Sequence, residues 1–434
     1  MIVVYMAERN FAMSISRKDL GDGLVIKTAD SQADVERVMA LDCIVFEDRV
    51  GALCQQLFTS HPDIPMSNLI FVEDDMKGEV ISTLCLIPWK WGYDGTTLKV
   101  GEMGIVGTAE AYRKRGLIRS QVDYFETLLN DGEFDISIIQ GIPYFYRQFG
   151  YEYSIPLEKW CMVEFHHIPD LKENENPKFT YRPANLDDLS AMQKLYDEAS
   201  KDLEIYTLRD EGVWRYLFEH NPKTCTAVDM WVVENVGKQI AGYFLTAKYP
   251  FGNSLSVSEV SKLSYDASLD VLRYMKKIAV EGNKPNIRLN LPENCDLVKV
   301  AKYHGAYGRD SYAWQIHIPD MVRFLRKITP TLEKRLALSP FSGLTEDVRI
   351  GFYTEKLVIH FENGRIMGVE NLDMSGGVWD PIRIPLKASV PLFLGCRNRE
   401  ESMAFWKDMG ASPKYSYLLD VLFPKMESHI YSIY

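Results

Sequence analysis

The stretch that most constrains the fold is "LKVGEMGIVGTAEAYRKRGLIRSQVDYFETLLNDG", residues 98–132. An apolar strand ending at 104–108 runs, without a polar linker, into a basic loop and then into a helix over 117–130 with apolar residues at helical spacing. A strand that feeds a helix directly implies a sheet with a helix packed across it. The loop places Arg113, Lys114, Arg115 and Arg119 around Gly116 in a chain of formal net charge −11. Three readings compete: a nucleic-acid patch, a solvated helix face, or a cradle for a small phosphate. Backbone N–H groups left unpaired at a helix start, the helix dipole and a glycine allowing close approach together suit an anion. The Walker pattern GxxxxGK[ST] is absent. The acidic balance weighs against nucleic acid as the main partner and fits a cationic or amine substrate.

The elements around this loop read in the order β-α-α-β-β-β-α-β-α-β, from "GLVIKT" near Gly23 to a closing strand "YEYSIPLEKWCMVEF". A polar linker, "DLKENENPKFT", follows, with a boundary near residue 174. The pattern then repeats in diverged form, from "TYRPANLDD" to a closing strand "DSYAWQIHI". At the position equivalent to the basic loop the second copy reads "KLSYDASLDVLRYM", with no arginine or glycine before the helix and with Asp266 and Asp270, which would repel a phosphate. A small α+β segment starts near Pro319 and holds a hairpin signal at Asn363-Gly364. The expected division is an extension over 1–22, with Met13 as an alternative start, then units over 23–168, 175–318 and 319–434.

Several classes are set aside. No apolar run reaches the roughly 18–20 residues that span a bilayer, and the opening "MIVVYMAERNFAM" has neither a basic leader nor a small-residue cleavage site. No membrane partner is expected. The seven cysteines are scattered and form no CxxC, so reduced thiols and a cytoplasmic protein are expected. The eight histidines form no HExxH, and His166-His167 reads as structural, so no metal is expected.

"VGEMGIVGTAEAYRKRGLIRSQV", followed by "SIIQGIPYFYRQFGYEYS", resembles the GNAT superfamily of acyl-CoA N-acyltransferases, whose signature is an apolar strand, [RQ]xxGx[GA] and a helix. Ile118 stands where most of that superfamily has Gly or Ala. The same departure, the "FYRQFGYEY" segment and the three-part organisation resemble the enhanced intracellular survival (Eis) branch. The resemblance implies an α+β protein with two tandem GNAT folds and a C-terminal sterol-carrier-protein-like α+β domain, and a homo-oligomer (trimer or hexamer). It implies an acetyl-CoA-dependent N-acetyltransferase acting on an amine, with acetyl-CoA as co-substrate. Val106, Gly107 and Thr108 would bond the pantetheine arm through their backbone. Arg113, Lys114, Arg115, Gly116, Leu117, Ile118 and Arg119 would hold the pyrophosphate, and Gly141 and Ile142 would line the cofactor cleft. Tyr146 matches the general-acid tyrosine. Two base candidates are implied: Glu102, eleven residues before Arg113, and the α-carboxylate of Tyr434, carried into the first unit by the tail "MESHIYSIY".

Trp89, Trp91 and Tyr93 are candidates for the acceptor pocket, where aromatic faces favour cations. No cysteine motif supports an acyl-enzyme, so direct transfer in a ternary complex is expected. The alternatives are transfer of a longer acyl chain, as in N-myristoyltransferases, and a lipid- or ligand-binding protein on a GNAT scaffold. Aminoglycoside, polyamine, peptide amine and lysine side chain are all compatible acceptors.

Overall fold

The computed structural model describes residues 17–157, 159–173, 175–309, 312–374 and 380–434. Among them the chain forms three sheets. The first runs in the order Lys18–Gly21, Leu24–Thr28, Leu69–Asp74, Glu79–Tyr93, Thr96–Thr108, Ile136–Ile139, Ala313–His317, Glu152–Pro156. Neighbours are antiparallel as far as Thr96–Thr108, whose pairing with Ile136–Ile139 is parallel. A parallel pair needs a crossover, and the helix Leu117–Asp131 supplies it, burying Leu117, Val122, Phe125, Leu128 and Leu129 on the sheet. Of the expected extension, residues 1–16 lie outside the described residues. Lys18–Gly21 already pairs with Leu24–Thr28, so the first sheet begins before Gly23.

The second sheet repeats the plan: Leu255–Val260 pairs in parallel with Ile287–Asn290 across the helix Tyr265–Glu281. The closing strands depart from the sequence reading. Glu152–Pro156 stays in the first sheet, whereas Trp160–Val163 crosses to the second and pairs with Ile287–Asn290. In return Ala313–His317, read from sequence as the end of the second copy, lies in the first sheet between Ile136–Ile139 and Glu152–Pro156. The repeats thus exchange their last strands. A strand's alternation specifies which face is buried but not which of two similar sheets receives it, which is why the exchange is silent in the sequence.

The third sheet, Arg365–Leu372, Lys356–Glu362, Glu346–Gly351, Ile382–Arg383 and Gly410–Ala411, is packed by short helices. Its hairpin turns at Asn363 and Gly364, both at positive φ (50° and 76°), as a type I′ turn requires. From this segment the chain returns to the other two. Ser428–His429 pairs with Ile205–Thr207, which itself pairs with Glu79–Tyr93. Tyr93 ties the same region to the third segment, its hydroxyl donating to the Phe393 carbonyl at 2.6 Å.

Candidate active site

Two features of the strand Thr96–Thr108 open a cleft beside it. Its pairing with Ile136–Ile139 stops at Glu102↔Ile138, while on the other edge it stays paired as far as Thr108↔Ser82. Val106, Gly107 and Thr108 therefore present one backbone edge with no strand partner among the described residues. Between Gly104 and Gly107 the register slips, and Ile105 takes φ +45°. A β-branched residue in that region costs about 1–3 kcal/mol, and bulges of this kind bend strands apart beside functional sites. Gly107 fits because a Cβ there would meet Phe46 at 2.9 Å.

Beyond the strand end the loop turns through Lys114 (φ 65°) and Gly116 (φ 79°) into the helix. Gly116 is the N-cap and offers no side chain to the first N–H groups of Leu117, Ile118 and Arg119. A Cβ on Gly116 would touch nothing within 4 Å, so its φ, rather than crowding, selects glycine. Arg113 Nε donates to the Thr108 carbonyl at 3.3 Å, Arg115 lies over the Tyr112 ring at 4.9 Å, and Arg119 donates to Gln148 at 2.7 Å. Among the described residues none of the four loop cations forms an ion pair, unusual company for an acidic chain. Ile118 is half-buried against the core beneath the helix.

Glu102, where the strands part, is 2% exposed. It accepts from Trp89 Nε1 at 2.9 Å, from the Tyr434 hydroxyl at 2.9 Å to each oxygen, and from Gln140 Nε2 at 3.4 Å. Burial pushes its carboxyl up to about 7, against the opposing pull of these donors. The two base candidates, 332 residues apart in the chain, thus touch. The contact is made by the Tyr434 phenol; its main-chain oxygen accepts from Ser432 Oγ. The tail reaches this point along fixed rungs: Thr207 Oγ1 donates to the Tyr431 carbonyl at 2.7 Å, and the Arg209 guanidinium to the Ser432 carbonyl at 2.5 Å.

Across the cleft, the Tyr146 ring packs on Gly141, where a Cβ would lie 2.2 Å from its Cδ2. Its hydroxyl has no hydrogen-bond partner among the described residues, and burial pushes it up to about 12. The Gly141 carbonyl accepts from Tyr312 (2.6 Å) and Gln315 (3.0 Å), both brought by the exchanged strand segment. Ile142 is exposed.

Residues 26–154 match the acetyltransferase (GNAT) domain family. Outside this GNAT match, no curated protein is similar enough to the chain to match it. Solved structures share the architecture. A conserved protein of unknown function from Enterococcus faecalis, described as a probable N-acyltransferase, has TM-score 0.70 at 14% identity, covering 95% of this chain and 100% of that one. A GCN5-related N-acetyltransferase from Anabaena variabilis has TM-score 0.67 at 14% identity over 94% and 99%. Eis1 from Mycobacterium abscessus has TM-score 0.61 at 13% identity over 94% and 99%. At these identities the likeness is one of fold: an α+β arrangement with two GNAT-like units in tandem.

Beside the GNAT cleft, a cavity of about 230 Å³ lies among the first unit, the second sheet and the tail. Trp89 lines it, together with Trp314, Gln140 and Tyr434. Trp91 and Tyr93 share the strand face with Trp89 but are fully buried farther along, Trp91 against Trp314 and Tyr93 against the third segment. Sequence reasoning missed Gln140, Trp314, Tyr312 and Gln315. It missed as well the buried pair of Arg209 and Glu259, joined at 2.9 and 2.7 Å. Gln140 carried a faint signal, a polar residue ending the apolar run "ISII"; the others acquire their places only through the strand exchange or long-range packing. All seven cysteines are free thiols. His167 Nδ1 accepts from the Glu164 N–H in a local cap. Among the described residues no cluster of His, Cys, Asp and Glu suits a metal ion, and no helix is long and apolar enough to cross a membrane.

Proposed function

We propose that this protein is an acetyl-CoA-dependent N-acetyltransferase that acylates an amine by direct transfer in a ternary complex. The observation that carries the reading is the loop Arg113–Arg119: a glycine-capped helix start with no side-chain cap and four cations that form no ion pair among the described residues. Such a concavity suits a pyrophosphate. The unpartnered edge of Val106, Gly107 and Thr108 suits a pantetheine arm, whose amides would extend the strand. Acetyl-CoA supplies the thioester; the residues named here bind it, orient it and handle protons.

An alkylammonium, with pKa about 10.4, must lose a proton before it attacks. Glu102, poised near neutrality, is assigned as the base, and the Tyr434 phenol as its link to the amine, passing a proton on as it takes one. The amine nitrogen then bonds to the acyl carbon as the carbon–sulfur bond breaks. Tyr146, protonated at every working pH, gives its proton to the departing thiolate and regains one from the nitrogen. One proton is released overall. The α-carboxylate role implied for Tyr434 is replaced here by its side chain, because the phenol is the group in contact with Glu102.

Isothermal titration with acetyl-CoA tests the reading. Saturable one-to-one binding that weakens at least tenfold in Arg115→Ala plus Arg119→Ala supports it, and absence of binding overturns it in favour of a ligand-carrying scaffold.

A further inference from the structure

The C-terminal tail leaves its sheet before it reaches the active site. Its strand pairing, Ser428–His429 on Ile205–Thr207, ends at His429. Backbone groups buried beyond that point need other partners. Two side chains just past the partner strand's pairing supply them: Thr207 Oγ1 donates to the Tyr431 carbonyl, and the Arg209 guanidinium to the Ser432 carbonyl. We infer that Arg209, clamped by Glu259, is a positioning residue that locks the tail so that Tyr434 meets Glu102. The inference rests on the acyltransferase reading for its effect on rate, and on the hydrogen bonds alone for the latch.

The chain of contacts is continuous. Glu259, on Leu255–Val260, accepts from Arg209 at 2.9 and 2.7 Å and from the Tyr243 hydroxyl, on Ile240–Ala247, at 2.7 Å. Two strands of the second sheet therefore anchor the clamp. Its two parallel bonds fix the plane of the guanidinium, and the rings of Tyr196 and Trp214 flank it at 4.6 and 4.9 Å. The nitrogen that meets one Glu259 oxygen, Nη2, also donates to the Ser432 carbonyl at 2.5 Å. Ser432 Oγ in turn accepts from the Tyr434 N–H at 3.1 Å and donates to the terminal carboxylate of Tyr434. The Tyr434 hydroxyl ends the chain on Glu102, at 2.9 Å to each oxygen. Both groups that the tail delivers, phenol and terminal carboxylate, are thus tied to Ser432, and Ser432 is tied to Arg209.

Stability alone does not account for the clamp. The side chains of Arg209 and Glu259 are 1% and 3% exposed, and apolar residues of similar volume commonly hold a core as well as a buried ion pair does. What apolar residues lack is a directed N–H donor for a carbonyl at a fixed place. The clamp also gives the second repeat a task. Its helix start carries no basic loop, yet its sheet fixes the segment that completes the first repeat's site.

The test uses the full-length protein and two variants. Arg209→Met with Glu259→Gln removes both charges together and leaves neither buried alone. Arg209→Lys keeps the charge that Glu259 pairs with and loses the fork that reaches Ser432. Carboxypeptidase A, which removes C-terminal aromatic residues, reports the tail, with Tyr434 release followed by mass spectrometry under native conditions. Release is expected to be at least about tenfold faster than wild type in both variants, because cleavage follows the population of the open form. A wild-type release rate in either folded variant overturns the inference. Failure of both variants to fold makes the pair structural and overturns it too.

The rate profile gives a second readout. Without the phenol to hold its carboxyl down, Glu102 should titrate higher, so the acid limb should move up in pH in Arg209→Lys as in Tyr434→Phe. Combining the two should move it no further, since both cut one chain. A further movement would mean that the clamp acts on Glu102 without the tail, which overturns the inference. The acetyl-CoA titration fails or succeeds separately. Faster Tyr434 release in variants of a protein that does not bind acetyl-CoA supports the latch and removes only the acyltransferase reading.

Discussion

The two repeats meet the same problem, a parallel strand pair joined by a helix, and solve the helix start in opposite ways. In the first, Gly116 at positive φ caps the helix with no side-chain cap, and the four cations around it form no ion pair among the described residues. In the second, Ser264 in extended backbone accepts from the Ala267 N–H, Asp266 sits in the first turn and pairs with Lys178, and Asp270 is held by Arg273. The second start is self-sufficient, as a stable helix prefers. The first is left unsatisfied by the protein, which is what a site for an external anion requires. The clefts differ likewise. In the second repeat Tyr431 of the tail lines a small pocket together with Val260, Ser261 and Cys295, whereas three residues later Tyr434 stops at Glu102 of the first. One segment thus reaches both repeats.

The most direct way to break the comparison is to make the first helix start resemble the second. Gly116→Asp adds an acid where the anion would sit, and should weaken acetyl-CoA binding at least 100-fold, about 2.7 kcal/mol. Gly116→Asn is the control, since Asn tolerates positive φ without charge. If the two variants lose affinity equally in titration, charge is not what separates the repeats. Glu102→Gln comes next. With acetyl-CoA affinity unchanged, kcat should fall about 10²–10⁴-fold, the usual worth of a general base. The wild-type rate should decline as pH drops below about 7, where Glu102 takes up its proton, and the variant should lose that limb. Stability runs the other way. A carboxyl raised in the fold from 4.5 to about 7 stabilises below the lower value and loses that contribution as pH rises through the upper one. Glu102→Gln should therefore melt higher than wild type at pH 8 and no higher at pH 4.

The difference between the repeats was legible because it is local: "AYRKRGLIRSQ" and "KLSYDASLD" carry their caps and charges within a few residues. So was the parallel strand–helix–strand plan, which periodicity encodes. What stayed hidden depends on pairing at a distance. The chain Glu152–Val163 looks like one strand but serves two sheets, and nothing in its alternation says where it divides. Glu102 and Tyr434 read as rivals because each has a complete local rationale, and only the course of the tail turns them into partners. Trp89, Trp91 and Tyr93 show the limit of spacing itself. They lie on one strand face, yet only the first reaches the cavity.

Tyr434→Phe sharpens that partnership with a smaller effect. The ring and its packing on Trp89 remain, and the hydroxyl bond to Glu102 is lost. That bond holds the Glu102 pKa down, so its removal should move the acid limb of the rate profile to higher pH and lower kcat about tenfold at pH 7. An unmoved limb would mean that the phenol supports the tail without serving the base.

The smallest effect is expected in the second repeat. Ser264→Ala removes the hydroxyl that caps Tyr265–Glu281 and should cost about 1 kcal/mol of stability, read as a lower urea midpoint. Acetyl-CoA affinity and kcat should not change, because Asp266 remains at that helix start to repel an anion. A fall in either would mean that the second repeat communicates with the first, and Tyr431, which lines a pocket with Ser261 and Cys295 three residues before Tyr434, would be the connecting element.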